Sequence, residues 1–234
     1  MELQEWKEMS WPGYRREDGG LGIRNKVLVV YTVECASHVA REIALQVNHP
    51  DVEAIGFGGC TDNAYAIRML LALATHPNVG AVLAVGLGCE YTRAERLADA
   101  AKARGREAAY LLIQENGGTL QTIGKGVELV HGMLVKLKDT PVEAMGFRDL
   151  IVGAECGGSD FTSGLAGNVA VGRFFDMLVE TGGTPVFEEI VEAVGLKGLL
   201  LERAADEKAK EELAWTYDKA LAYCRSVRQY SDSP

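Results

Sequence analysis

The chain has 234 residues, 47% of them hydrophobic, enough to bury one large core or two smaller ones. A formal charge of -9 and a pI near 5.1 argue against a nucleic-acid partner, whose binding rests on Lys and Arg neutralising phosphates. No apolar run reaches the roughly 20 residues of a membrane helix, and the start MELQEWKEMSW lacks the basic-then-apolar pattern of a signal peptide, so the expected setting is the cytoplasm.

The first apolar run, Lys26 to Val33, is short and Val-rich, as expected of a buried parallel strand. Val39, Ile43 and Val47 then follow at helical spacing within a helix expected from about Ser37 to Asn48. The alternation repeats: a strand at about Val52 to Phe57 with a helix at Asn63 to Thr75, then a strand at Val79 to Leu87 with a helix at Thr92 to Arg104. A fourth strand, Ala108 to Ile113, leads through Gly117 and Gly118 to a long helix ending near Lys138. Such alternation predicts an α/β fold, a parallel-sheet, three-layer, Rossmann-like domain.

The segment KDTPVEAMGF has no strong period and reads as a linker, which sets the expected domains at 13–145 and 146–234. The second begins with a strand, Asp149 to Ala154, and the turn ECGGSDFTSG. A helix from Asn168 to Thr181 and a short strand from Thr184 to Phe187 complete the start of a second α/β unit. Its opening LIVGAECGGS resembles the earlier VVYTVECAS, a loose internal repeat. From Asp206 to Arg228 the pattern predicts a charged amphipathic helix with Leu213, Tyr217, Leu221 and Tyr223 facing a core.

Ligands of open parallel sheets bind beyond the carboxyl ends of the strands, where turns and helix N-termini converge. Four of the five cysteines fall in such turns: Cys35, Cys60, Cys89 and Cys156. They are candidate thiolate ligands for iron or another transition metal, although without a CxxC pair the spacing alone favours the plainer reading of a small, easily buried residue in a tight turn. Acids stand beside them: Glu34, Asp62, Glu90, Glu155 and Asp160, with Glu188 and Glu189 after the last short strand. Glu90, Asp160 and Glu189 are the candidate catalytic carboxylates, with helix capping the simpler use of Asp62 and an equal alternative for Asp160. Ser159, Thr162 and Ser163 lie in a turn suited to a hydroxylated substrate, and Arg24 beside Asn25 could clamp its carboxylate, a surface ion pair being the ordinary alternative. The four histidines show no HxH or HExxH spacing. Neither GxGxxG nor GxxxxGK[ST] follows a strand, which argues against zinc, dinucleotide and triphosphate sites.

Five stretches, GYRREDGGLGIRN, YTVECASHVAREIA, AVLAVGLGCE, LIVGAECGGSDFTSGLAGNVAVG and the following DMLVETGGTPVFEE, together resemble the altronate and galactarate dehydratase family, whose relatives include sulfolactate sulfo-lyases. The resemblance runs from about Gly13 to Gln229. It implies a metal-dependent hydro-lyase that eliminates water from a sugar acid or related hydroxy acid to give a 2-keto-3-deoxy acid. The implied cofactor is a divalent metal, Fe2+ or iron-sulfur, alternatively Mn2+. A carbon-sulfur lyase and a non-catalytic binding fragment are the alternatives.

Departures from the family pattern qualify these expectations. GFGGCTDN stands where the family has HGSGCG, without its histidine, and EEIVE replaces SETPE while keeping Glu189 and Glu192. Family members continue well past this length, so the resemblance implies a fragment that is inactive alone. It further implies a homo-oligomer and a small N-terminal domain carried as a separate subunit.

Overall fold

The computed structural model describes residues 3–155, 157–158, 160–188 and 193–227. The chain divides into two units: one spans Ser10–Gly146, and the other takes in the described residues before Ser10 together with those from Phe147 onward. Helix α1 (Leu3–Glu8) therefore belongs with the later part of the chain, and its Trp6 ring stacks on Phe147 at 4.7 Å.

The Ser10–Gly146 unit opens with β1 (Trp11–Arg15) and β2 (Leu21–Gly22), then β3 (Lys26–Tyr31) and α2 (Glu34–Val47). After β4 (Val52–Gly56), α3 (Ala64–Ala74) leads to β5 (Val79–Gly86), and α4 (Ala94–Ala103) to β6 (Glu107–Leu112). The unit finishes with α5 (Thr119–Leu137) and β7 (Val142–Met145). Four strands form a wholly parallel sheet in the order β4-β3-β5-β6. Helices cover both faces, which is why β5 is buried along its entire length.

Alternating side chains of the sheet feed two cores. Val27, Val29, Leu83 and Val85 pack with Val39 and Ile43 of α2 and Ile123 and Val130 of α5. Leu28, Val30, Val82 and Ala84 pack on the other face with Leu70 of α3 and Leu97, Ala98 and Ala101 of α4. Small residues on α4 let the helix lie close to the sheet.

The expected linker after Lys138 is instead partly a strand. Residues 142–145 pair antiparallel with β1, Trp11 opposite Met145 and Tyr14 opposite Val142. A four-residue edge strand contributes too little periodicity to stand out from a Pro- and Gly-containing loop. The resulting three-stranded sheet, β2-β1-β7, holds the unit's entry and exit side by side.

In the other unit, β8 (Ile151–Ala154), α6 (Asn168–Glu180) and β9 (Thr184–Phe187) form a parallel βαβ pair, followed by α7 (Lys197–Glu202) and α8 (Glu207–Ser226). On α8 the buried residue is Tyr217, while Tyr223 is exposed; the positions three or four residues apart on its face are Leu213, Leu221 and Cys224, so the helical period excludes Tyr223. Among the described residues no helix is long and apolar enough to cross a membrane.

Helix α5 carries three glycines in unlike surroundings. A Cβ on Gly126 would collide with the side chain of Ile43, whereas Gly124 and Gly132 have open space. Gly124→Ala and Gly132→Ala are expected to raise stability by up to about 1 kcal/mol through helix propensity. Gly126→Ala is expected to lower it by about 1–3 kcal/mol through overpacking. Urea unfolding of the three variants checks the opposite signs.

Candidate active site at the sheet's carboxyl edge

The connections from β3 and β5 leave the sheet in opposite directions: α2 covers one face on the way to β4, while α4 covers the other on the way to β6. The gap between the carboxyl ends of β3 and β5 is thus the switch point of the fold, where open α/β sheets bind ligands. Thr32 follows β3 and is fully buried, and Glu90 lies in the turn after β5 with 8% exposure.

These two residues bridge the gap. Thr32 Oγ1 donates to Glu90 Oε1 at 2.6 Å, nearer than the Val85 carbonyl at 3.3 Å. The same carboxylate accepts from the backbone N–H groups of Leu87 at 3.1 Å and Gly88 at 2.8 Å. Gly88 sits at φ +126°, a conformation that favours glycine and lets the turn fold back over the carboxylate. Burial alone would raise the Glu90 pKa, but the Thr32 hydroxyl and the backbone donors outweigh it and hold the group below the usual carboxylate range. The carboxylate oxygens of Glu90 are thus already engaged by Thr32 and by the turn that wraps them.

The neighbouring turns join the same edge. Tyr91 N–H donates to the Cys60 carbonyl at 3.1 Å, and Ser37 Oγ donates to Glu34 in the first turn of α2. Cys35, Cys60 and Cys89 are all exposed here, at the ends of three parallel strands. Yet among the described residues no three His, Cys, Asp or Glu side chains are placed to hold a metal ion. Cys156, the fourth expected ligand, lies outside the described residues, as do Ser159 and Glu189. The donors described do not by themselves form a metal site.

Beside the Glu90 turn is a cleft of about 360 Å³ lined by Cys89, Glu90, Arg93, Glu95, Leu112 and Glu115. Arg93, Glu95 and Glu115 escape a sequence reading because each resembles an ordinary solvated charge at a helix start or in a loop. Thr32 was more legible in principle: a polar residue ending a buried apolar run must find a partner.

Arg24 and Asn25 are not part of this edge. They precede β3, at its amino end, the full length of a six-residue strand, or roughly 20 Å, from the Glu90 turn. Asn25 is engaged there: its Oδ1 accepts from Arg16 at 2.8 Å, and its Nδ2 donates to Thr140 Oγ1 at 3.0 Å and the Leu137 carbonyl at 3.1 Å. Arg16, 5% exposed, also donates to the carbonyls of Pro77 and Arg24. Burial, reinforced by the nearby charge of Arg106, pushes its pKa down to about 10, which leaves it protonated at neutral pH. The motif GYRREDGGLGIRN is built around this buried guanidinium, and its role in this unit is to lock the sheet's amino edge.

In the second unit, Asp160, Thr162 and Ser163 share the turn beyond β8. Thr162 donates to the Asp160 carboxylate from both its backbone N–H, at 2.6 Å, and its hydroxyl, which lowers the Asp160 pKa. Ser163 Oγ lies 3.5 Å from the Gly158 carbonyl. This is helix-capping geometry, followed by a wide π-type turn over Ser163–Gly167.

Thr32→Val is expected to cost about 1.5–3 kcal/mol at neutral pH by withdrawing a buried hydrogen bond to a charged group. Because the Glu90 pKa is lowered in the folded state, this contribution is present above the unfolded-state value and lost as pH falls through the folded-state value. Urea unfolding across pH 7 to about 3 should therefore show the wild-type advantage closing on the acid side.

Family comparisons agree along nearly the whole chain. Residues 13–138 match the model described as D-galactarate dehydratase/Altronate hydrolase, second domain, and residues 147–233 match D-galactarate/Altronate dehydratase, C-terminal. Altronate dehydratase of Escherichia coli (strain K12) is 30% identical over 93% of this chain and 45% of its own length. Galactarate dehydratase (L-threo-forming) of the same organism is 31% identical over 96% and 48%. The (2R)-sulfolactate sulfo-lyase subunit beta of Chromohalobacter salexigens is 30% identical over 93% and 56%. The chain spans about half the length of the curated relatives it matches.

Proposed function

The chain belongs to the D-galactarate dehydratase/altronate hydrolase family, and from that premise we propose that it takes part in a hydro-lyase reaction on a sugar acid, with the cleft beside Glu90 as its substrate site. The observation that carries this reading is a polar cleft at the carboxyl edge of the sheet, between the turns that follow β5 and β6, one wall of which is the Glu90 turn that Thr32 braces. In the reaction a base removes the proton on the carbon bearing the carboxylate, and its electron pair forms the double bond. The neighbouring hydroxyl leaves as water after protonation, and the enol rearranges to a 2-keto-3-deoxy acid.

Within this cleft, Glu90 positions the turn and leaves proton transfer to other groups. Glu95 and Glu115 form no side-chain hydrogen bond or ion pair among the described residues, so their carboxylates are available to substrate hydroxyls or to a C–H proton. A divalent metal would supply charge to stabilise the enediolate. Cys35, Cys60 and Cys89 are the soft donors nearest the site, and completing a ligand set would require donors beyond the described residues.

Carbon-sulfur elimination is the second reading, favoured by the similarity to a sulfo-lyase subunit, of which this chain covers 56%. It needs the same proton abstraction with sulfite as leaving group. Anaerobically purified protein, alone and with any polypeptide that copurifies, should be incubated with altronate, galactarate and sulfolactate, with and without added Fe2+ or Mn2+. Release of keto acid from a sugar acid is the expected result in the presence of the copurifying polypeptide, the chain alone being expected to be inactive, and sulfite from sulfolactate would select the second reading. Neither product under any condition would favour a binding role and overturn the proposal.

A further inference from the structure

Arg93 is the cation of the cleft beside Glu90, and it has no side-chain hydrogen bond or ion pair among the described residues. Arg15, Arg16, Arg104 and Arg106 of this unit are engaged with Glu143, Asn25, Asp18 and backbone carbonyls, whereas Arg24 and Arg96, like Arg93, have no side-chain hydrogen bond or ion pair among the described residues; of these three only Arg93 lines the cleft. Glu95 and Glu115 line the same cleft without closing an ion pair onto Arg93. A cation and two acids so held apart match a ligand that carries a carboxylate at one end and hydrogen-bond donors along its length.

The backbone adds to the match. Arg93 occupies the N-cap of α4, a ten-residue helix whose first turn has no side-chain cap, which leaves its first N–H groups and partial positive charge without an intrahelical partner. One residue earlier, the Thr92 hydroxyl is buried without a hydrogen-bond partner among the described residues, although Thr92 is not one of the residues that line the cleft.

Resting on the hydro-lyase reading, we infer that Arg93 is the carboxylate anchor of the cleft and that Glu95 and Glu115 accept hydrogen bonds from the hydroxyls of a polyhydroxy acid. The anchor thus belongs to the carboxyl edge of the sheet, on the opposite side from Arg24. A planar guanidinium binds a carboxylate through two parallel hydrogen bonds, a geometry that lysine cannot reproduce.

The test is a titration of the 15N-labelled chain with three probes: galactarate, glycolate as a bare 2-hydroxy acid, and galactitol as a polyol without charge. Galactarate and glycolate should shift the Arg93 Nε–H resonance and the amides of Ala94 and Glu95, and galactitol should not. Arg93→Gln should weaken galactarate binding about tenfold or more, Arg93→Lys should restore only part of it, and the unfolding midpoint of both variants should match wild type. Galactarate binding within about twofold of wild type in Arg93→Gln, shifts confined to another region, or no binding by the folded wild-type chain would each overturn the inference. The hydro-lyase reading is judged separately by keto-acid release, so an active protein indifferent to Arg93→Gln would refute the anchor and leave that reading intact.

Discussion

One short hydrogen bond ties the architecture to the candidate chemistry. The two strands that meet at the switch point send their connections to opposite faces, and the backbone ladder between them ends where the Thr32 N–H donates to the Val85 carbonyl. The Thr32 hydroxyl and the Glu90 carboxylate then join, at 2.6 Å, the turns that follow, in surroundings where water competes little for either group. Among the described residues the charge on Glu90 is met by hydrogen bonds and by no ion pair, and the turn wraps around it. Cleft walls built on such a strut hold their shape before a ligand arrives, which is what orientation-dependent elimination chemistry requires.

The distribution of charge follows the same division. At the amino edge of the sheet, Arg16 and Arg106 are buried among carbonyl groups and Asp18, and they hold the opening loop against the strands. At the carboxyl edge the cation is half free, and the acids beside it are not paired to it. The arginines of this unit are thus put to unlike uses, and burial beside carbonyl and carboxylate acceptors is what separates them.

Much of the fold was legible because periodicity reports burial directly. Runs such as Lys26 to Val33 and Val79 to Leu87 lie inside a two-sided core, and the structure places their strands at Lys26–Tyr31 and Val79–Gly86. The short pieces escaped: β1, β2 and β7 pair at an edge, where few side chains are buried and sequence pattern is weak. At the site, the sequence located the rim, while the engagement of its side chains lay beyond a reading of pattern. Glu90 beside Cys89 reads as a free acid, and only the distances reveal its engagement with Thr32, a residue 58 positions away. Arg24 and Asn25, substrate-binding candidates in the loop leading into β3, lie at the amino end of the sheet, away from the Glu90 turn.

The pairing of β1 with β7 has a topological consequence. Since α1 groups with the residues after Gly146, the parallel-sheet domain is an excursion of the chain that departs and returns through adjacent antiparallel strands. Its covalent ends are neighbours, with Trp11 and Met145 as Cα partners. A short splice there would close the domain into a ring, and an opening at a surface turn would then yield a permuted chain with every parallel strand pair preserved. A module attached in this manner can be gained, lost or exchanged as one piece without breaking the continuity of its host.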